Sequence, residues 1–242
     1  MTSRAACVIP AFQAAAGIGA VIAGVRAAMP SIVVLVVDDG STDGTDQAAA
    51  DADAVLRLRR NTGKGAALRA GFAEAARRGC ERVVTLDADG QHDPAFVPAF
   101  LAALDTADLV VGVRARRGTA MPLVRRVANG LSTRLIGWCA GRAIRDAQCG
   151  FRAMRVPLLQ AVPHVGDRYE AETAFVIRAA RAGARIAEVE IPTVYGPPSH
   201  FRPLPDAARI GATIWALRPS RRSPCDSSAP TTTASSPTAS TA

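Results

Sequence analysis

Asp87, Asp89 and Asp93 fall within the seven residues "DADGQHD", directly after the apolar run "RVVTL". Carboxylates at the end of a buried segment repel one another and lose hydration, so a positive charge is expected among them. Asp93 has a separate reading with Pro94, as N-cap and first residue of a helix running to Leu104. Asp87 and Asp89 stand two apart, so near a strand end both project to one side. Such a pair suits a hard divalent cation, Mg²⁺ or Mn²⁺, shared with a diphosphate, and Gln91 can add a neutral oxygen. His92 reads as a surface residue or as a support behind the ligands.

Other carboxylate chemistries fit less well. A calcium loop counted from Asp87 would need an acid at the fifth position, Gly at the sixth and Glu at the twelfth; Gln91, His92 and Pro98 stand there. A phosphatase of the DxDxT type needs a Thr where Gln91 stands and an earlier strand, and is kept as a weak rival. "NTGKG" at Asn61–Gly65 suggests a phosphate loop, but Leu58 replaces the first Gly of a P-loop and no Ser or Thr follows Lys64. Lys64 is the single lysine among 29 Lys and Arg residues. It is either a solvated helix start or a compact ammonium near a diphosphate.

These residues need a frame. Strands are expected at Ala5–Pro10, Ser31–Val37, Ala54–Leu58, Arg82–Leu86, Asp108–Val113 and Ala184–Pro192, from short β-branched runs. Helices are expected to about Ala28, after "DDGSTDGT" with Ser41 or Thr42 as cap, from Gly63 to Gly79, over Leu123–Ala140 and over Tyr169–Gly183. "DAQCGFR" reads as a turn or short strand, and "SHFRPLPDAARIGATIWAL" as a loop ending in a short apolar helix. This alternation predicts an α/β fold with a doubly wound, mostly parallel sheet, in which ligands bind beyond the carboxyl ends of the strands. Asp38 and Asp39, Asp87 and Asp89, and Arg114 all sit at such ends.

The 242 residues, 49 % apolar, suffice for a sizeable core. Residues 1–218 are expected to form one domain. Residues 219–242, rich in Ser, Thr, Pro and Ala, are expected to be a disordered tail. Five scattered cysteines without CxxC fit a reducing cytosol and argue against a zinc site. No apolar run reaches the ~20 residues of a membrane span, and no signal-peptide pattern opens the chain. A net charge of +8 suits an anionic partner. Aromatics at 5 % and the lack of a binding signature give nucleic acid little support.

Taken together, "VIPAF", "VVDDGSTDGT", "NTGKGAALRAGF", "TLDADGQHDP", "DAQCGFR" and "EVEIPTVY" resemble, in order, the family 2 glycosyltransferases of the GT-A fold. The branch of dolichyl- and polyprenyl-phosphate sugar transferases is the most similar. The resemblance implies inverting, metal-dependent transfer from a UDP- or GDP-linked sugar. It implies donor contacts from Pro10, Asp38, Asp39, Lys64, Asp87 and Ala88, with Asp87, Asp89 and Gln91 handling metal and diphosphate. Asp89, Asp146, Arg114 and Arg126 would carry the catalytic step. A lipid-phosphate acceptor is already ionised and needs cations, for which Arg114, Arg125, Arg126, Asn129 and Arg202 are candidates. A polysaccharide or small hydroxyl acceptor would need a carboxylate base instead. Asp146 could be that base, a sugar contact or a structural turn residue, and Glu172 a sugar contact or a residue at the core edge. The chain departs from the family's P-x-Y-N-E with "PAFQA", losing the Asn and Glu. His200 and Arg202 would lie on a flap over the site. The enzyme would be cytoplasmic, touching the inner membrane face peripherally through Leu123–Ala140 and "IGATIWAL".

Overall fold

The structure, a computed structural model, describes residues 4–114, 123–192 and 203–218, with the backbone alone for 123–129, 131 and 203–206. Seven strands form one sheet: β1 Ala5–Ala11, β2 Val33–Asp38, β3 Ala54–Arg57, β4 Arg82–Thr85, β5 Leu109–Arg114, β6 Arg152–Arg155 and β7 Ile186–Ile191. Their order is β3-β2-β1-β4-β6-β5-β7, parallel except for β6. The helices are α1 Ile18–Ala28, α2 Thr45–Ala48, α3 Lys64–Arg77, α4 Val97–Ala103, α5 Leu123–Ala140, α6 Val156–Ala161, α7 Glu170–Arg181 and α8 Pro203–Ala216.

Period-two alternation within buried strands divides the core in two. Val8, Leu35, Val37, Val83 and Val111 face the side of α3, α5 and α7. Cys7, Ile9, Val34, Val36, Val84 and Val110 face the side of α1 and α4. Each buried Val or Leu contributes roughly 1.5–3 kcal/mol, so strands covered on both faces need not be amphipathic. On the second side the Phe100 and Phe151 rings stack with centroids 4.0 Å apart.

Two expectations change. Neither Ser41 nor Thr42 caps α2. Asp38 accepts a hydrogen bond from the Ser41 backbone N–H at 2.9 Å, turning Ser41 inward to accept from the Gln13 N–H. The helix therefore starts later, and Asp43 accepts from the Thr45 N–H and hydroxyl at 3.1 and 2.6 Å. β6, only hinted at in "DAQCGFR", is the antiparallel strand between β4 and β5. Two of its four residues are arginines, which hid it from a hydrophobic pattern. Arg155 turns back to donate to the carbonyls of Leu104 and Ala107, at the end of α4. The tail from residue 219 lies outside the described residues.

The order reverses between β1 and β4, whose neighbours lie on opposite sides. This is the switch point at which open α/β sheets bind ligands. The helix-side loop Pro163–Tyr169 closes one flank of it. There His164 lies between Phe72 and Phe175, at 5.5 and 5.3 Å between ring centroids. Burial, with Arg152 and Arg69 nearby, pulls its imidazole down to about 3 from 6.5. The unfolded chain takes up this proton as pH falls through 6.5, while the folded chain resists until about 3, so stability is full above 6.5 and declines between them. In urea titrations from pH 7.5 to 5, His164→Phe should show a smaller acid-side loss of midpoint than wild type. Equal slopes would contradict this.

Candidate active site

A cleft of about 860 Å³ opens at the switch point. Pro10 to Ala14 line it from the end of β1, Asp39 from β2, and Asp87, Ala88 and Asp89 from β4. Asn61, Gly63 and Lys64 close it from the start of α3, and Arg168 and Tyr169 from the loop before α7.

The positive charge expected among the aspartates is Lys64. Its Nζ lies 2.6 Å from Asp87 Oδ1 and 3.0 Å from Glu172 Oε2, on α7. Burial alone would lower the ammonium's pKa, but Asp87 and Glu172 more than offset this and hold it charged. Burial alone would likewise raise Asp87, but Lys64, then His92, overrule it and hold the carboxyl below its usual range. Asp89 moves the other way: burial and the neighbouring Asp87 charge raise it. One of its oxygens accepts the Gln91 N–H at 3.0 Å. His92 is buried, 6 % exposed, with Nδ1 accepting the Asp87 N–H at 3.4 Å, so it supports the DAD turn from behind.

Two glycines permit this packing. A Cβ on Gly150 would lie 2.4 Å from Asp87 Oδ2 and 2.8 Å from Lys64 Nζ. Gly63 adopts φ +104°, against the Asp167 carbonyl. Asp39 binds this same turn: one oxygen accepts the Thr62 N–H and hydroxyl at 2.7 and 2.8 Å, the other the Gly63 N–H at 2.7 Å. The amide end of α3 is not an open phosphate loop. The Asp167 carbonyl accepts the Gly65 and Ala66 N–H groups at 2.8 and 3.3 Å.

Arg114 and Asp146 form a bidentate pair, with Nε and Nη2 2.8 and 2.9 Å from the two carboxylate oxygens. Asp38 is fully buried and holds the Ser41 turn rather than lining the cleft. Gln91, Arg114 and Asp146 are also absent from the cleft wall. Arg125, Arg126 and Asn129 fall on α5 with side chains outside the described set, and His200 and Arg202 lie outside the described residues.

The family model described as Glycosyl transferase family 2 matches residues 6–162. The chain belongs to glycosyl transferase family 2. An undecaprenyl-phosphate mannosyltransferase of Micrococcus luteus is 35 % identical over 202 residues, 78 % of this chain and 82 % of that one. A polyprenol monophosphomannose synthase of Mycolicibacterium smegmatis is 35 % identical over 172 residues, 66 % of this chain and 65 % of its own. A crystal structure of glucosyl-3-phosphoglycerate synthase from Mycobacterium tuberculosis with Mn²⁺, UDP and phosphoglyceric acid has a TM-score of 0.72. It is 24 % identical and covers 91 % of this chain and 81 % of that one, a likeness of fold alone.

This family 2 transferase therefore has the expected GT-A architecture, and Pro10, Asp39, Lys64, Asp87, Ala88 and Asp89 meet at one cleft. Sequence reasoning did not single out Arg152, which is 2 % exposed. It donates to the carbonyls of Cys149, Glu172 and Ala147, fixing the "CGF" turn beneath Asp87. The signal was an arginine closing an otherwise apolar "GF" strand start.

Lys64→Met removes the shared cation from buried Glu172 and from half-buried Asp87 and should cost about 3 kcal/mol in urea unfolding, the low end for a broken buried pair. Adding Glu172→Gln should recover part of that loss, and a purely additive double mutant would contradict the bridge. Gly150→Ala should keep the fold but reduce nucleotide-sugar turnover at least about tenfold, by displacing Asp87 and Lys64. Gly211→Ala, with nothing within 4 Å of the new Cβ, is the matched control and should leave turnover unchanged.

Proposed function

We propose that this enzyme moves a sugar, with inversion, from a UDP- or GDP-linked donor to a polyprenyl phosphate. The observation that carries the acceptor assignment is the commitment of the carboxylates other than Asp89, which is left to a metal. Asp39 is held by Thr62 and Gly63, Asp87 and Glu172 by Lys64, and Asp146 by Arg114. A hydroxyl acceptor needs a carboxylate ready to take its proton, whereas an ionised phosphate attacks without one. Its oxygen bonds to the anomeric carbon as the bond to the nucleoside diphosphate breaks. The two relatives named above transfer to, or make, polyprenyl phosphosugars by their names. Arg114 is 42 % exposed, and its Nη1 has no partner among the described residues. That leaves guanidinium hydrogens for an acceptor phosphate.

Asp87 and Asp89 fit a divalent cation. They are anionic oxygens at one strand end, and their mutual repulsion, felt in the raised Asp89, is relieved by positive charge. Among the described residues no three His, Cys, Asp or Glu side chains group as a metal site. The two carboxylates would thus share the ion with the diphosphate, as Mg²⁺ or Mn²⁺ sites commonly do. When bound, the ion would offset charge developing on the leaving diphosphate. A related structure, 25 % identical, holds Mg²⁺ and UDP.

No described helix is long and apolar enough to cross a membrane. The long acceptor implies peripheral contact at the cytoplasmic face, for which exposed Leu135 and Trp138 on α5 and Trp215 on α8 are suited. Arg218 stacks on Trp215 at 4.2 Å.

The test offers the full chain UDP- and GDP-hexoses with a polyprenyl phosphate or the matching polyprenol, with Mn²⁺ or a chelator. Transfer should require the phosphate and the metal, and Asp89→Asn should reduce it about a hundredfold or more. Equal transfer to the alcohol would overturn the acceptor assignment.

A further inference from the structure

Among the described residues, the cleft wall carries Asp39, Asp87 and Asp89 against two cations, Lys64 and Arg168. Glu172 stands just behind. A nucleoside diphosphate is itself strongly anionic, so such a wall repels it unless positive charge is available. Two of the three Lys64 hydrogens already go to Asp87 and Glu172. The Gly65 and Ala66 N–H groups at the start of α3 go to the Asp167 carbonyl.

Arg168 is different. Its backbone is fixed on both sides. The Asp167 carbonyl is bound to α3, Glu170 Oε1 accepts the Asp167 and Arg168 N–H groups at 3.3 and 3.2 Å, and Arg69 donates to the carbonyls of His164 and Gly166. Its stem packs on Gly63, whose added Cβ would lie 2.9 Å from Arg168 Cγ. Its guanidinium has no hydrogen bond or ion pair among the described residues. A long side chain anchored at its stem, with an unspent donor fork facing a ligand cleft, loses little freedom on binding.

We infer that Arg168 is the protein's own cation for the donor nucleotide, donating to an acceptor oxygen of the proximal phosphate or of the base. This rests on the nucleotide-sugar reading above. Gly63 neighbours Asp39 at the end of β2, two strands from Asp87 on β4. Arg168 therefore packs against the Gly63 turn that Asp39 holds. A phosphate contact recognises every nucleoside diphosphate alike, whereas a fork on a base carbonyl distinguishes guanine from uracil.

The test titrates wild type and Arg168→Met with GDP, UDP, guanosine and uridine by calorimetry, with Mn²⁺ present, and records melting without ligand. The Met variant should melt close to wild type and bind GDP or UDP at least about tenfold more weakly. An equal loss for both diphosphates, with none for the nucleosides, places the contact on phosphate. A loss confined to one base, shared by its nucleoside, places it on the base. Should Arg168→Met melt early, Arg168→Gln, which keeps the stem and a polar head, carries the same comparison. A folded variant that binds both diphosphates within twofold of wild type overturns the assignment. Failure of wild type to bind either diphosphate overturns the nucleotide-sugar reading with it.

Discussion

A half-buried lysine between two carboxylates organises this protein. Charges removed from water must be paired, and breaking such a pair is far more costly than forming it is favourable. Lys64 opens α3, Asp87 follows β4 and Glu172 lies in the first turn of α7, so one ammonium binds three elements together. The contact also explains why a chain with so many arginines uses lysine once. An ammonium is compact and its three hydrogens can point to separate oxygens, whereas a guanidinium is a broad plane. Gly150 lies so close that a single methyl group would meet both Asp87 and Lys64.

That constraint spreads outward. Glu172 reaches Lys64 only if α7 begins beside α3, and the loop before α7 secures this by giving the Asp167 carbonyl to the first amides of α3. Arg152 fixes the other approach, drawing the carbonyls of Ala147, Cys149 and Glu172 onto one guanidinium. Among the described residues its hydrogen bonds all go to carbonyls, while its charge also helps to hold Asp87 ionised.

Much of the frame was legible because buried parallel strands write themselves as short β-branched runs. "AACVIP" and "RVVTL" announced β1 and β4, and the polar residues after them marked the cleft. β6 was harder to read. "RAMR" has no apolar period, since both arginines leave the sheet to bind carbonyls. Lys64 could be marked as unusual from composition, but its partner Glu172 lies over a hundred residues away in sequence, and no local pattern encodes that contact. Asp39 and Asp146 show the same limit. Their types suggested ligand contacts, yet the bonds they make are to Thr62, Gly63 and Arg114. Asp38 is a turn residue for the same reason: at a strand end the nearest donors are backbone amides.

The paired charges also bear on how the acceptor is activated. Asp146 would be a poor base while Arg114 grips both its oxygens, because taking a proton would give up two charge-assisted hydrogen bonds. The hydrogen bonds to Asp146 push the Arg114 guanidinium's pKa up. The pair fixes the plane of a guanidinium at the end of β5, and on the proposed reading its outer nitrogen would meet the acceptor anion. A nucleophile that arrives already ionised needs this kind of placement more than it needs proton removal. The reaction then becomes a problem of bringing two anions, acceptor phosphate and donor diphosphate, to one carbon. On the proposed reading, arginines and a metal held by Asp87 and Asp89 would offset the charge of those two anions.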